Sequence, residues 1–140
     1  MANTQAVGGV AKQVALAAIV DGKTLKAALY LVSATTNGTN SVYTATGEVS
    51  GTNYVAGGVS VTNANAAGLT STTAYWTPSA SITFTTVTLA TAFDSAMIYS
   101  TTDTNRNIGV FTFGSQTITA GTFTLSMPTN DSSTGLLRFA

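Results

Sequence analysis

Two periods of apolar spacing divide the chain. In the stretch GVAKQVALAAIVDGK, Val10, Val14, Ala17 and Ala18 recur at helical intervals among helix-favouring alanines, and Gly22 stands where a C-terminal stop belongs. This predicts one short N-terminal helix over Val10–Val20. The residues before it, MANTQAVGG (Met1–Gly9), carry no charged side chain and little apolar bulk, and read as an arm that needs something to hold it.

From Lys23 onward the pattern is that of strands. LKAALYLV (Leu25–Val32) is apolar on both faces, as a central strand should be, and the turn-formers of TTNGTNS end it. Ser41–Val49 and Tyr54–Thr62 read as further strands, followed by a looser region, Asn63–Ala80, that holds the lone Trp76. In SITFTTVTLAT, Ile82 and Phe84 share one parity while Val87 and Leu89 share the other. All four can face one core only if an extra residue intervenes, which predicts a β-bulge or corner near Thr85–Thr86. SAMIYST and IGVFTFG follow, joined by the turn TDTNRN. In GTFTLSMP, Phe123, Leu125 and Met127 alternate with Thr122, Thr124 and Ser126, and GLLRFA closes the chain as a short strand. Seven to nine short strands separated by turns predict an all-β, single-domain β-sandwich, jelly-roll-like, over residues 10–140 with the arm at 1–9.

The glycines of YTATGEVSGTNYVAGGVSVT sharpen that picture. A phosphate-gripping loop leads into a helix and carries a Lys–Ser/Thr pair. Gly57–Gly58 lead instead into VSVT, a strand pattern without a lysine. They read as corners, where a positive φ or a close backbone crossing excludes a side chain.

Composition then limits the chemistry. Only 7% of the 140 residues are charged, against about 25% in an ordinary domain. Lys12, Lys23, Lys26, Arg106 and Arg138 balance Asp21, Glu48, Asp94, Asp103 and Asp131, and 28 threonines fill the polar surface. A neutral Thr-rich surface favours association. Five scattered cations make no phosphate-binding patch, so no nucleic-acid partner is expected. VALAAIV (Val14–Val20) is too short to span a bilayer, so no membrane partner is expected, and it reads as part of the mature fold.

The chain holds no histidine and no cysteine, which removes Ser–His and Cys–His catalysis and the commonest metal ligands. The five carboxylates stand apart in sequence, four in or beside turns, where an Asp usually caps its own backbone. Lys23 and Lys26 flank a strand start and read as solvated. Asp103, Asn105 and Asn107 occupy positions 1, 3 and 5 of a calcium-loop pattern, but Ile108 stands where glycine is needed and Gly114 where a bidentate Glu belongs, so a plain β-turn is the better reading. The glycosylation triplets at Asn37 and Asn130 are expected by chance in so Thr-rich a chain. Tyr30, Tyr43, Tyr54, Tyr75, Trp76 and Tyr99 could line a sugar-binding face, but their spread over many strands favours core and interface positions. No catalytic, cofactor-binding or metal-binding residue is assigned, and no enzyme activity is expected.

LKAALYLVSA, YTATGEVSGTNYVAGG, AMIYSTTD, GVFTFGSQTITAGTFTLSMP and GLLRFA, in that order, resemble small virion proteins of tailed bacteriophages, of the head-decoration or cement type. The likeness covers about Leu25–Tyr54 and Ala96–Ala140 and contains no catalytic motif. It implies a protein on the capsid surface of a virion, with the major capsid protein and sister copies, as a trimer, for partners. In that role it would clamp adjacent capsid subunits and stabilise the shell. The alternative is a structural protein of the phage neck, tail or an appendage, including a carbohydrate-binding module.

Overall fold

The computed structural model describes residues 3–140; Met1 and Ala2 lie outside the described residues. The protein is mostly β, with two antiparallel sheets and one N-terminal helix. The elements in chain order are α1 (Gly9–Val20), β1 (Leu25–Leu31), β2 (Val59–Val61), β3 (Gly68–Thr70), β4 (Thr73–Trp76), β5 (Ile82–Ser100), β6 (Arg106–Leu125) and β7 (Leu137–Phe139). They gather into two compact units, one from residues 1–22, 63–79 and 127–140, the other from 23–62 and 80–126.

In the first unit α1 packs on a three-stranded sheet of order β3-β4-β7. The helix stops as the sequence predicts: the Asp21 N–H donates to Ala17 O at 2.9 Å, and Gly22 turns away at φ +66°. The predicted stripe is corrected. Val10 and Val14 are exposed, and the buried side chains of α1 are Leu16 and Val20. Both sides of this helix are apolar, so spacing alone could not choose the packed one. Side-chain hydrogen bonds add to it: Gln13 Nε2 donates to Ala67 O at 2.9 Å, and Asn63 Nδ2 to Val20 O at 2.6 Å. The arm boundary also moves. Gly9 is helical, and a Cβ on it would lie 2.8 Å from Ser71 O, so the helix starts where the backbone runs close to the β3–β4 turn.

The region read as loose, 63–80, contains a hairpin. Gly68↔Tyr75, Leu69↔Ala74 and Thr70↔Thr73 pair antiparallel across Ser71, whose φ is +55°. Trp76 at its end is fully buried, and its Nε1–H donates to Asn63 Oδ1 at 3.1 Å and Asn65 O at 3.2 Å. The asparagines that made the stretch look like a loop satisfy the indole. β7 pairs with β4 on the other side, matching the closing GLLRFA strand.

The second unit is a four-stranded antiparallel sheet of order β2-β1-β5-β6. β1 is buried at alternate and intervening positions alike, as its two-sided apolar pattern requires. The bulge falls where parity placed it. Register slips between Phe84 and Val87, Thr86 takes φ +53°, and Ile82, Phe84, Val87 and Leu89 are all buried.

Two strand boundaries differ from expectation. SITFTTVTLAT and SAMIYST are one 19-residue strand, β5, and IGVFTFG and GTFTLSMP are one 20-residue strand, β6. The apparent breaks are irregularities inside a continuous ladder, with Gly114 at φ +85° and Ala120 at φ +46°. Conversely, Ser41–Val49 and Tyr54–Thr62 yield only β2. The rest of residues 41–58 is irregular, tied by single bridges Glu48↔Tyr30, Val42↔Arg106 and Thr52↔Thr88. Positive φ at Gly47, Asn53, Gly57 and Gly58 prevents an extended course there.

Candidate functional site

The densest polar constellation of the second unit is built around Glu48, in the glycine-rich stretch. Its Oε2 accepts the Tyr43 hydroxyl at 2.5 Å, while Oε1 accepts the Tyr54 hydroxyl at 2.8 Å and the Gly57 N–H at 2.7 Å. Tyr54 Oη in turn accepts the Leu29 N–H of β1 at 3.0 Å. Two further tyrosines come from the sheet: Tyr30 donates to Thr44 O at 2.6 Å, and Tyr99 to Gly57 O at 2.7 Å. The Tyr43 and Tyr99 rings stack with centroids 4.7 Å apart. Ala28, Tyr30, Met97 and Tyr99 form the buried floor beneath.

Electrostatically the cluster holds its protons. Burial, then the nearby Glu48 charge, pushes the Tyr30 phenol up to about 12. Burial is also the main cause that raises Tyr43, Tyr54 and Tyr99, with Glu48 adding to each. At neutral pH the four phenols are donors, and the Glu48 carboxylate takes three of the donors around it. Such an arrangement fastens the 43–57 loop to β1 and β5. A general base needs an oxygen open to a reactant proton, and here both oxygens are engaged.

The other acids serve locally. Asp21 Oδ1 accepts the Ala67 N–H at 2.7 Å. Asp131 Oδ1 accepts the N–H groups of Thr134 and Ser133, both at 2.7 Å, which hold its carboxyl below the usual range. Asp103 Oδ1 pairs with Lys23 Nζ at 3.0 Å and Oδ2 accepts the Ser100 hydroxyl, and the Lys23 bond lowers its pKa first. Lys23, read as solvated, is therefore an ion-pair partner.

The calcium-loop candidates sit in the expected turn, closed by the Arg106 N–H donating to Asp103 O at 3.1 Å. Asn105 O accepts the Tyr43 N–H, and Asn107 Nδ2 donates to Asn40 O. Among the described residues, no group of three or more Asp, Glu, His or Cys could hold a metal ion, and no helix is long and apolar enough to cross a membrane.

Of the six aromatics singled out in the sequence, Tyr30, Trp76 and Tyr99 are buried and the other three half-buried. Trp76 and Tyr75 belong to the first unit and the remainder to the second. Phe84, Phe93, Phe113 and Phe123, absent from that set, form a chain of tilted and edge-to-face contacts along β5 and β6, and Tyr54 stacks on Phe84. The Glu48 cluster was missed in the sequence, although its signal was present: a lone acid five and six residues from two tyrosines, beside paired glycines.

No protein-family model, curated protein or solved structure matches this chain.

Proposed function

We propose that this chain is a structural protein of a tailed-bacteriophage virion, a decoration or cement protein that binds the outer capsid lattice and clamps adjacent capsid subunits. The observation that carries this reading is how the chain's reactive groups are used. Glu48, Asp21, Asp103 and Asp131 are all engaged in fastening its own backbone or side chains, while threonine covers an almost uncharged surface. Such a molecule acts through contact area. Modest contacts repeated at symmetry-related positions add up to a shell that resists internal pressure.

The ordered likeness to phage virion segments supports the same reading. The jelly-roll-like sandwich and the trimer are its finer parts: seven strands in two antiparallel sheets accommodate the first, and a neutral surface favours the second. No catalytic role, cofactor or nucleic-acid partner belongs to this reading. The carbohydrate-binding alternative needs coplanar exposed rings, and the buried, tilted aromatics weigh against it.

The test is stoichiometry on purified particles. Quantitative mass spectrometry should find the chain in copy numbers commensurate with the capsid lattice, and released shells should lose heat resistance when it is stripped. A handful of copies per particle would move it to the neck, tail or an appendage, and absence from particles would end the reading.

A further inference from the structure

The helix α1 is turned inside out. Its only polar side chains, Lys12 and Gln13, lie on the side facing the fold, where Lys12 Nζ donates to Thr72 O at 3.2 Å and Gln13 Nε2 to Ala67 O. The side facing solvent is Val10, Ala11, Val14, Ala15 and Ala18, all exposed and all apolar. Val10 and Val14 are 65% and 64% exposed, and Val7, one turn upstream, is 62% exposed. A surface helix ordinarily does the reverse, with its charged residues outward.

We propose that this face is a self-association surface, on which α1 of a second copy of the chain packs. Three observations favour a copy over other occupants. Val7, Val10 and Val14 follow the three-then-four spacing of a helix–helix seam, and β-branched side chains alternating with alanines give a ridge and groove that an identical ridge can fill. No charged side chain points outward from the strip, so two copies meet without repulsion and strand no polar group. A lipid surface calls for outward lysines or arginines with bulky Trp, Phe or Leu beside them, and this face has neither.

Twelve residues make a strip about 18 Å long, short of the roughly 800 Å² per partner of a standard interface. The seam alone therefore gives a weak, concentration-dependent association. The exposed residues 3–8, continuous with the strip, lengthen it.

This names a surface for the self-association in the proposed function, yet it stands on α1 alone. If self-association persists while particle binding is absent, the proposed function fails and this inference survives.

The experiment is sedimentation equilibrium of the full chain, the double variant Val10→Ala/Val14→Ala, and Val55→Ala as a control at an exposed valine off the strip. Alanine is the better helix former, so circular dichroism of the double variant should keep its helical signal. If it does not, Val14→Ala alone takes its place. The wild type should self-associate with rising concentration, the double variant at least about tenfold more weakly, and Val55→Ala like the wild type. A wild type monomeric at every concentration overturns the proposal, as does a double variant that associates normally or a control that weakens equally. Capture of the monomer by phosphatidylglycerol vesicles, lost in the double variant, would overturn it in favour of lipid.

Discussion

Gly58 crosses Ala27 so closely that a Cβ on the glycine would lie 1.8 Å from the Ala27 carbonyl oxygen, and its φ is +75°. Two independent constraints, conformation and space, thus act on one residue, at the entry of β2 onto β1. Gly58→Ala should cost about 2–5 kcal/mol, combining the left-handed penalty with overpacking. Gly38, with nothing within 4 Å of its added Cβ, provides the control: Gly38→Ala should move stability by less than about 0.5 kcal/mol. Urea unfolding of both variants measures the contrast, and equal midpoints would refute the crossing as a constraint.

The tyrosine cluster makes a prediction at alkaline pH. A phenol titrates near 10 when unfolded, and Tyr30 is pushed up to about 12 in the fold. Raised folded values mean that the cluster's stabilisation is fully present below about pH 10 and is lost as pH rises through the folded values. For Tyr30 that window is about 10 to 12. The thermal midpoint should fall across it while absorbance at the phenolate band lags behind that of free tyrosine. Phenols of the folded protein titrating together near pH 10 would sink the argument.

Glu48→Gln tests the same cluster at neutral pH. An amide has one acceptor oxygen where the carboxylate has two, so at least one of Tyr43, Tyr54 and the Gly57 N–H loses its partner. Leaving a half-buried donor unpaired costs about 1–3 kcal/mol. The variant should unfold earlier in urea, and its alkaline transition should begin at lower pH because the charge that helps hold the phenols protonated is gone.

Thr86 invites a stabilising change. It is β-branched at φ +53° in the β5 bulge, where a left-handed residue costs about 1–2 kcal/mol. Glycine adopts that conformation freely, though it loses about 0.5–1 kcal/mol in chain entropy. Thr86→Gly should therefore be neutral or up to about 1 kcal/mol stabilising, whereas the same replacement at the exposed Thr83 of the same strand should destabilise. A loss at both positions would refute the strain.

The arm gives a prediction for assembly. Deleting residues 2–8 leaves Gly9 to seat α1 and should hardly change the melting temperature, because residues 3–8 are exposed. Occupancy on purified particles should drop. Undiminished occupancy would show that the arm contributes nothing to attachment, and failure to fold would make it part of the core.

What the sequence disclosed depended on whether one pattern had one explanation. The parity switch at Thr85–Thr86 has only one, and the bulge lies there. β1 was legible because apolar residues at both parities need cover on both faces. α1 was legible as a helix and illegible as to its face, since Val10 and Val14 compete with Leu16 and Val20 for the same pattern. Thr–Ala–Phe–Asp at residues 91–94 and Gly–Ser–Gln at 114–116 resembled turns, yet pairing with a long neighbour absorbed them as bulges. Glu48 was hidden for another reason. Its role depends on Tyr54 and Gly57 folding back across an irregular loop, and no local periodicity records that return.

The interleaving of the two units fixes an order of events on the ribosome. Everything in the four-stranded sheet is made by residue 126, so that unit can close with the chain still growing. The layer containing α1 cannot, because β7, at residues 137–139, is the last of its strands. At about 5–20 residues per second, roughly 6–24 s separate the making of Val20 from that of Phe139. A helix of twelve residues is marginal by itself in water, so through that interval the first element synthesised waits, its apolar sides unshielded, for the last.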